Sequence, residues 1–217
     1  MGVGTRVPLT RERIIVAAVA FVDTEGLEAL SMRKLGAALG VEAMSLYNHV
    51  DNKDDVLDGI LDHVLREVPL PDPSLPWAEQ LRVLARGFRA AGLAHPGVLP
   101  MFGARRIRTV EAFAPLERAY DILREAGLDP DAALDAFLAM SSFVLGRVLL
   151  DMGSLRVEPA EGTIDLAAIP TDVHPRLVEL QRAVVSSHSS REFERGLDLL
   201  IAGIAGLFDA APVDPGR

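Results

Sequence analysis

The stretch LSMRKLGAALGVEAMSLYNHVDNK (residues 30–53) predicts two short helices joined by a tight turn. Ser31 can cap the first helix, because its hydroxyl can accept a hydrogen bond from a free N–H of the first turn. This helix carries an apolar stripe at helical spacing, formed by Leu35, Ala38 and Leu39. Gly40 can take the left-handed conformation that ends a helix, and Val41 is expected to be buried just after it.

The second short helix is predicted over residues 42–49. Leu46 and Val50 are its clearly apolar residues and should point inward. The remaining positions carry small or hydrogen-bonding side chains, which are Ala43, Met44, Ser45, Tyr47, Asn48 and His49. Together with the first helix and the turn, this pattern indicates a helix-turn-helix.

The side chains of the second helix suit the major groove of DNA, which admits an α-helix whose residues meet base edges. Asn48 can pair bidentately with adenine, and Ser45 can donate or accept a hydrogen bond. A helical hairpin buried in a core is the alternative, but it gives no reason to group Tyr47, Asn48, His49 and Lys53. The predicted DNA contacts are Ser31, Met32, Arg33, Ala43, Met44, Ser45, Tyr47, Asn48, His49 and Lys53.

The composition of the chain limits its possible classes of fold and function. The chain has 217 residues, 49% of them hydrophobic but only 5% aromatic, and it is rich in Ala and Leu, which favours an all-α fold. The absence of cysteine excludes disulfides, thiolate metal sites and a cysteine nucleophile. The net charge of −9 argues against general affinity for nucleic acid, and the near-neutral N-terminal segment favours specific binding to a few phosphates.

Targeting signals are not evident in the sequence. No apolar run is expected to reach transmembrane length, and the N-terminus lacks the apolar region of a signal peptide. The sequence therefore predicts a cytoplasmic protein without a membrane partner.

The N-terminal part is predicted to be a three-helix DNA-binding domain over residues 1–68. Its first helix should cover residues 11–24 with Thr10 as its cap, and a linking helix should cover about 52–66 with Asn52 as its cap. Four prolines in residues 69–76 are incompatible with a helix and mark a linker. Residues 77–209 should then form a larger helical domain for ligand binding and dimerisation, followed by a disordered tail over 210–217.

The larger domain shows five further helical patterns, over residues 77–93, 109–126, 130–152, 175–186 and 191–208. The second of them should bury Phe113, Leu116, Tyr120 and Leu123. The basic cluster before it, Arg105, Arg106 and Arg108, is expected to be a solvated loop. The helix over 130–152 is apolar on nearly all sides, so one face needs a partner, and a second subunit would supply it. The sequence therefore predicts a homodimer.

The segment around the helix-turn-helix resembles the TetR family of bacterial transcription regulators, and most closely the tetracycline repressor subgroup. The shared pattern is L-G-V-E-x-x-[ST]-L-Y-x-H-V-x-N-K, over residues 39–53. The similarity continues in W-x-x-x-L-x-x-x-A-x-x-F-R (77–89) and P-T-D-x-x-P-x-L (170–177), and covers roughly residues 10–208. The resemblance implies that the helix over 130–152 and the last helix build a four-helix bundle with their dimer mates.

The resemblance also implies a ligand cavity among the helices of the larger domain, where the residues alone leave an ordinary filled core equally open. Its expected lining is Leu84, Phe88, Phe102, Arg105, Phe113, Leu116, Leu134, Phe137, Leu138 and Ser141, with Arg105 near the mouth.

This chain departs from the subgroup where tetracycline repressors bind a magnesium–drug complex. By alignment, Phe102 stands at the position of the ligating histidine, Leu150 at that of the nearby glutamate, and Leu84 at that of a polar drug contact. Hard cations need oxygen or imidazole ligands, which these side chains lack. We therefore expect no metal and no cofactor, and a neutral, largely apolar effector instead of Mg–tetracycline.

The sequence thus predicts a ligand-responsive transcriptional regulator, a repressor that binds a palindromic double-stranded DNA operator as a homodimer and is released by a small molecule. A dimerising adaptor without DNA binding is the alternative. An enzyme is disfavoured, because the five histidines are scattered and neither a phosphate-binding loop nor a nucleophile elbow is present.

Overall fold

The computed structural model describes residues 8–102, 104–156, 175–177, 179 and 189–209. The α-helices of these residues are α1 Arg11–Glu25, α2 Met32–Leu39, α3 Ala43–Leu46, α4 Lys53–Arg66, α5 Trp77–Ala94, α6 Val110–Glu125, α7 Pro130–Arg156 and α8 Ser189–Asp209. Short 3₁₀ helices cover Leu27–Ala29 and Pro96–Met101. The described part of the chain contains no strand, which confirms the all-α class. The predicted tail, and most of the predicted helix over 175–186, lie outside the described residues.

Several helices begin at side-chain caps. Thr10, Ser31 and Asn52 each accept a hydrogen bond from the backbone N–H three residues later, as the sequence predicts. Thr109 does the same for α6. Such caps satisfy N–H groups that have no partner inside the helix, and each contributes about 1 kcal/mol. The cap positions therefore set the register in which the following apolar residues face the core.

The turn between α2 and α3 has the predicted glycine geometry. Gly40 adopts φ 68° and ψ 32°, the left-handed conformation that is costly for residues with a Cβ atom. The Gly40 N–H bonds the Ala37 carbonyl, and the Val41 N–H bonds the Gly36 carbonyl at 2.9 Å. The chain reverses direction here and starts α3 against the end of α2.

The chain divides into two compact units, residues 1–137 and 138–217. In the first unit α4 is central, because it packs against α1, α5 and α6. Its apolar stripe is buried: Val56, Leu57, Ile60, Leu61, Val64 and Leu65. Helix α1 contributes the buried Ile14, Ile15, Ala18, Val19 and Val22, and approaches α4 closely where Ile15 lies over Gly59.

The Pro-rich segment 69–76 is not helical, as predicted, and it is anchored to the first unit. The buried Gln80 amide donates hydrogen bonds to the Leu75 carbonyl at 2.7 Å and to the Pro73 carbonyl at 3.3 Å. Its amide oxygen accepts a bond from Arg118 at 2.6 Å. The division of the chain at this segment stays a prediction.

Several sequence predictions about the DNA-binding end were wrong in detail. Helix α3 covers only Ala43–Leu46, and residues 47–49 form turns where the sequence predicted helix. Ala38 is exposed and Val41 is half-buried. The physical reason is that α2 is a short helix covered on one side, so Leu35 and Gly36 face the core and the methyl group of Ala38 points to solvent.

The predicted buried face of α6 was right for Leu123 and wrong for its three other residues. Ala112, Pro115, Ile122 and Leu123 are buried, whereas Phe113 is 46% exposed and Leu116 and Tyr120 are half-buried. Small residues allow a close approach, and α6 turns its Ala112 side toward the packed interior formed with α4 and α5. The larger apolar side chains Phe113 and Leu116 therefore lie on a different face.

The second unit combines the later part of α7 with α8. The rings of Phe143 and Phe193 stack at 5.6 Å between centroids, and Phe143 lies directly over Gly196. Leu197, Ile201 and Ile204 continue the buried face of α8. Arg147 and the buried Asp151 form an ion pair of 2.6 Å one turn apart on α7.

Helix α7 contradicts the prediction that no apolar run reaches transmembrane length. Its stretch Pro130–Met152 has a mean hydropathy of 1.7 and is long and apolar enough to cross a membrane by length and composition alone. Only 22% of its most apolar window is buried. The exposed side chains Leu134, Leu138 and Leu149 are separated by four and eleven residues, which places them on one face of the helix, and Leu150 is also exposed. Helix α7 therefore presents an uncovered apolar stripe.

Candidate nucleic-acid interface

An open groove of about 700 Å³ lies beside the helix-turn-helix. The start of α1, the end of α2, the Gly40 turn and the α3 region all contribute to its wall. Its lining residues are Pro8, Leu9, Arg13, Ala37, Leu39, Gly40, Val41, Glu42, Ser45, Asn48 and His49. The groove thus brings together three of the predicted DNA contacts, which are Ser45, Asn48 and His49.

Four of the other seven predicted DNA contacts are exposed, although none of the seven lines this groove. Met44 is 74% exposed and Tyr47 is 43% exposed, which is high for large apolar or aromatic side chains. Arg33 and Lys53 are also exposed, while Ala43 is half-buried. A side chain can reach a base edge or a phosphate only from such an exposed position.

Ser31 and Met32 are less accessible than the rest of the predicted set. Both are half-buried, and the Ser31 hydroxyl already accepts the Lys34 N–H at 3.3 Å as the cap of α2. A serine hydroxyl retains a donor and a second lone pair in that geometry. Its contact with DNA stays a prediction, as do those of the whole predicted set.

The sequence pattern did not single out Arg13, which the structure adds to the groove. Arg13 is half-buried on α1, and its position is fixed by the Thr10 cap, which accepts the Arg13 N–H at 3.2 Å. Helical spacing from the buried Ile14 and Ile15 places Arg13 outside the core stripe. Only the packing of α1 beside the Gly40 turn reveals that this face borders Asn48 and His49.

The basic cluster before α6 is not a solvated loop, contrary to the prediction. Arg105 forms an ion pair of 2.6 Å with Asp54, and Arg108 one of 2.9 Å with Asp55, both on α4. Arg106 is exposed, and among the described contacts it is the one arginine of this cluster without a bond to α4. The sequence missed these pairs because the acidic and basic residues are about 50 positions apart.

The residues predicted to line a ligand cavity differ in accessibility. Leu84 is buried, Phe88, Phe102, Leu116, Phe137 and Ser141 are half-buried, and Phe113, Leu134 and Leu138 are 46–51% exposed. Arg105, predicted near the mouth, is half-buried and directed to α4 by its bond to Asp54. Leu138 and Ser141 belong to the second unit. The cavity and its lining stay predictions.

Titratable groups cluster at one further place in the first unit. His95, which ends α5, has its Nδ1 2.8 Å from Asp23 of α1 and its Nε2 3.0 Å from Glu67, which ends α4. Burial lowers the pKa of His95, but the hydrogen bonds and charges of the two carboxylates outweigh it and raise the pKa above its ordinary value of 6.5. No group of three or more His, Asp or Glu suited to a metal ion occurs among the described residues.

Comparison with known proteins agrees with this architecture. The family model for bacterial regulatory proteins of the tetR family matches residues 14–60, and that for the tetracyclin repressor-like C-terminal domain matches residues 70–207. An HTH-type transcriptional regulator of Saccharopolyspora erythraea is 34% identical over 93% of this chain and 86% of its own length. The class E tetracycline repressor of Escherichia coli is 31% identical over 96% of this chain and 98% of its own.

Solved structures give the same result. The TetR family protein ActR of Streptomyces coelicolor in complex with (S)-DNPA is 37% identical and superposes with a TM-score of 0.79. The match covers 92% of this chain and 98% of ActR. The ActR complex with actinorhodin superposes with a TM-score of 0.76 at 35% identity, with the same coverage.

Proposed function

This chain belongs to the TetR family of bacterial regulatory proteins and is a ligand-responsive DNA-binding regulator of transcription; on that premise we propose that it represses transcription as a homodimer on a palindromic operator. We further propose that a small, largely apolar molecule releases it from DNA. The relatives that it resembles are transcription regulators and not enzymes, and the adaptor alternative has no support among them.

The groove beside the helix-turn-helix is the observation that supports sequence-specific DNA binding. Ser45, Asn48 and His49 share it with Arg13, so hydrogen-bonding side chains and a guanidinium meet on one accessible concave face. Base edges require amide or hydroxyl groups, and phosphates require cations, so the groove offers both kinds of contact at once. We assign Asn48 to an adenine, and Lys53 and Arg13 to phosphates.

The exposed apolar stripes support dimerisation through α7 and α8. On α8, Leu199 is 76% exposed and Leu207 is 40% exposed, and the small residues Ala202, Gly203 and Gly206 are exposed between them on the same helical face. A monomer leaves this surface and the apolar stripe of α7 in water, whereas pairing with a second copy would bury them. Glycines on such a face permit close approach of two helices.

The effector is inferred from side-chain chemistry. Phe102 and Leu84 offer no oxygen or imidazole to a hard cation, and Leu150 is 64% exposed on α7. ActR, which this chain resembles over nearly its whole length, is complexed with actinorhodin and with (S)-DNPA in its structures. We propose a neutral, largely apolar organic effector. Calorimetry should detect no magnesium-dependent binding of tetracycline; tight binding that requires magnesium would contradict the assignment.

The release mechanism is a two-state switch. In a homodimer the two reading helices would lie about one turn of DNA apart, roughly 34–36 Å. An effector that prefers a state with altered spacing lowers operator affinity by its differential affinity for the two states. Helix α4 is the element that would transmit the change, because it packs against both α1 and α6.

The test is an anisotropy titration of the purified protein against duplexes recovered from a random-sequence pool and against DNA upstream of its own gene. We expect saturable binding to a palindrome. The logarithm of the association constant should fall linearly as the logarithm of the salt concentration rises. Binding that ignores sequence, or no binding to any duplex of the pool, would reject the proposed function.

A further inference from the structure

Asp55 of α4 is a buried carboxylate with four hydrogen-bond donors around it. Its Oδ2 accepts bonds from Arg11 Nη1 and from the Asp51 backbone N–H, both at 3.0 Å. Its Oδ1 accepts bonds from Arg11 Nη2 at 3.0 Å and Arg108 Nη1 at 2.9 Å. Asp55 is only 7% exposed, so a single carboxylate binds two guanidinium groups from distant parts of the first unit.

The segment that contains Arg108 is attached to α4 at several further points. Arg105 bonds Asp54 at 2.6 Å, and Asp58 lies 3.7–3.8 Å from both arginines. The backbone N–H of Arg108 donates to Oδ1 of the buried Asp62 at 3.0 Å. Residues 105–108 are therefore attached to one acidic face of α4 over about two helical turns.

The two arginines on Asp55 come from surfaces with different roles. Arg11 is the first residue of α1, two positions before Arg13 in the groove beside the helix-turn-helix. Arg108 stands two positions before α6, which carries the predicted cavity residues Phe113 and Leu116. Asp55 is thus bonded directly both to the helix that borders the DNA-facing groove and to the segment that starts α6.

Stability alone is a weak reason for this arrangement. Burying a carboxylate carries a large desolvation cost, and apolar residues of similar size often replace a buried ion pair without loss. A carboxylate that accepts a bidentate guanidinium does fix orientation, because two parallel bonds prevent rotation between the partners. Arg11 binds Asp55 in this bidentate way and Arg108 adds a single bond, so one carboxylate links three chain segments.

We propose that Asp55 is a positioning residue that fixes α1, and with it the helix-turn-helix, in a defined orientation relative to the segment before α6. A displacement at the start of α6 then reorients the DNA-binding end as a body. This inference rests on the proposed function, because orientation matters for operator choice only when two DNA-binding ends of a dimer meet two half-sites. Without Asp55 the two ends tolerate a wider range of half-site spacings.

The test measures spacing preference, which a merely stabilising residue would not change. The duplexes are the palindrome selected by the wild-type protein and the same palindrome with one base pair inserted or removed at its centre. Wild type should favour the selected spacing. Asp55→Asn should bring the ratio of the affinities for the selected and for each altered spacing toward one. The base preference within each half-site should stay the same. An unchanged ratio would overturn the inference.

Two further variants keep the test decisive. Arg108→Gln removes one bond to Asp55 from a side chain that is 46% exposed, so it should fold even where Asp55→Asn does not, and it should relax the same ratio. Arg106→Gln removes the same charge from the same segment at an exposed position, and it should keep the wild-type ratio. Wild-type protein that binds no selected duplex would reject the proposed function itself, whereas variants that discriminate spacing as wild type does would reject only this inference.

Discussion

Gly36 of α2 lies so close to Val41 that a Cβ atom on Gly36 would stand 3.0 Å from the Val41 carbonyl oxygen. The same Cβ would stand 3.2 Å from the backbone N and Cα of Ala43, the first residue of α3. The neighbours are backbone atoms, which cannot turn aside as a side chain would. Gly36 therefore sets how closely the two helices of the helix-turn-helix approach.

Gly36→Ala should separate α2 from α3 and weaken DNA binding. Overpacking of this kind costs about 1–3 kcal/mol, which exceeds the gain of replacing glycine by alanine in a helix. We expect a lower free energy of unfolding in urea and, at temperatures where the variant is still folded, weaker binding to the selected palindrome.

Ala38→Gly on the same helix provides the matched control. Ala38 is exposed, so this change costs about 1 kcal/mol of helix propensity and leaves the turn intact. It should lower the free energy of unfolding by about 1 kcal/mol and keep the wild-type affinity for DNA. Equal losses of affinity in the two variants would show that the effect arises from stability and not from the geometry of the turn.

Most helix positions followed from local chemistry that a sequence displays directly. Thr10, Ser31 and Asn52 are side-chain caps in the structure because each is followed by a free N–H at the required spacing. The apolar residues that recur at helical spacing on α4 from Val56 to Leu65 are buried. Such features depend on neighbours within one or two helical turns.

Features that depend on distant neighbours were missed. The exposure of Phe113 follows from the side of α6 that meets α4, which apolarity alone does not identify. The pairing of Arg108 with Asp55 and the approach of Arg13 to Asn48 both join residues far apart in sequence. These contacts require the packing of α1, α4 and α6, and they include the residues on which the site proposals depend.

Asn48→Ala should relax base preference at one position of each half-site. Loss of a bidentate contact with adenine should weaken binding by about 1–3 kcal/mol for duplexes with adenine at that position. Binding to duplexes with another base there should change little. Selection from a random pool, followed by sequencing, would measure it. Lys53→Ala is the contrasting variant, because a lost phosphate contact weakens all duplexes alike and reduces the salt slope by about one per protomer. An Asn48 variant with wild-type base preference would reject the assignment of this residue.

Arg13→Ala should weaken binding to every duplex and reduce the salt dependence. Arg13 borders the groove with Asn48 and His49, where a guanidinium can neutralise a phosphate and release its counterion. The control is Arg106→Ala, which removes the same charge from an exposed position before α6. If the two variants lose equal affinity, net charge explains the effect, and Arg13 has no specific place at the interface.

Leu199→Glu should shift the protein from dimer to monomer. Leu199 is 76% exposed on the apolar face of α8, and a buried unpaired carboxylate in its place should raise the dissociation constant of the dimer more than about tenfold. Sedimentation velocity over a range of concentrations measures this shift. Val110→Glu changes a 79% exposed side chain of α6 and should leave the association unchanged. A Leu199 variant that remains as dimeric as wild type would exclude this face of α8 from the interface.

The contact of His95 with two carboxylates predicts a pH dependence of stability. Both ring nitrogens lie within 3.0 Å of a carboxylate oxygen, Nδ1 beside Asp23 and Nε2 beside Glu67, and only the imidazolium form can donate to both carboxylates at once. Because the pKa of His95 is raised in the folded state, the folded protein holds this proton more tightly than the unfolded chain. The contribution of His95 is fully present below about pH 6.5 and is lost as the pH rises through the folded pKa.

His95→Gln isolates this contribution from that of the nearby His63, which lies 3.5 Å from both Glu12 and Glu67. Urea denaturation of wild type and variant from about pH 5.5 to about pH 9 gives the difference in unfolding free energy at each pH. We expect wild type to be more stable by the largest margin at the acid end, with the margin shrinking as the pH rises, because the neutral ring can donate to only one of its two carboxylates. A margin that stays constant or grows toward alkaline pH would show that the imidazolium does not tie α1 and α4 to the end of α5.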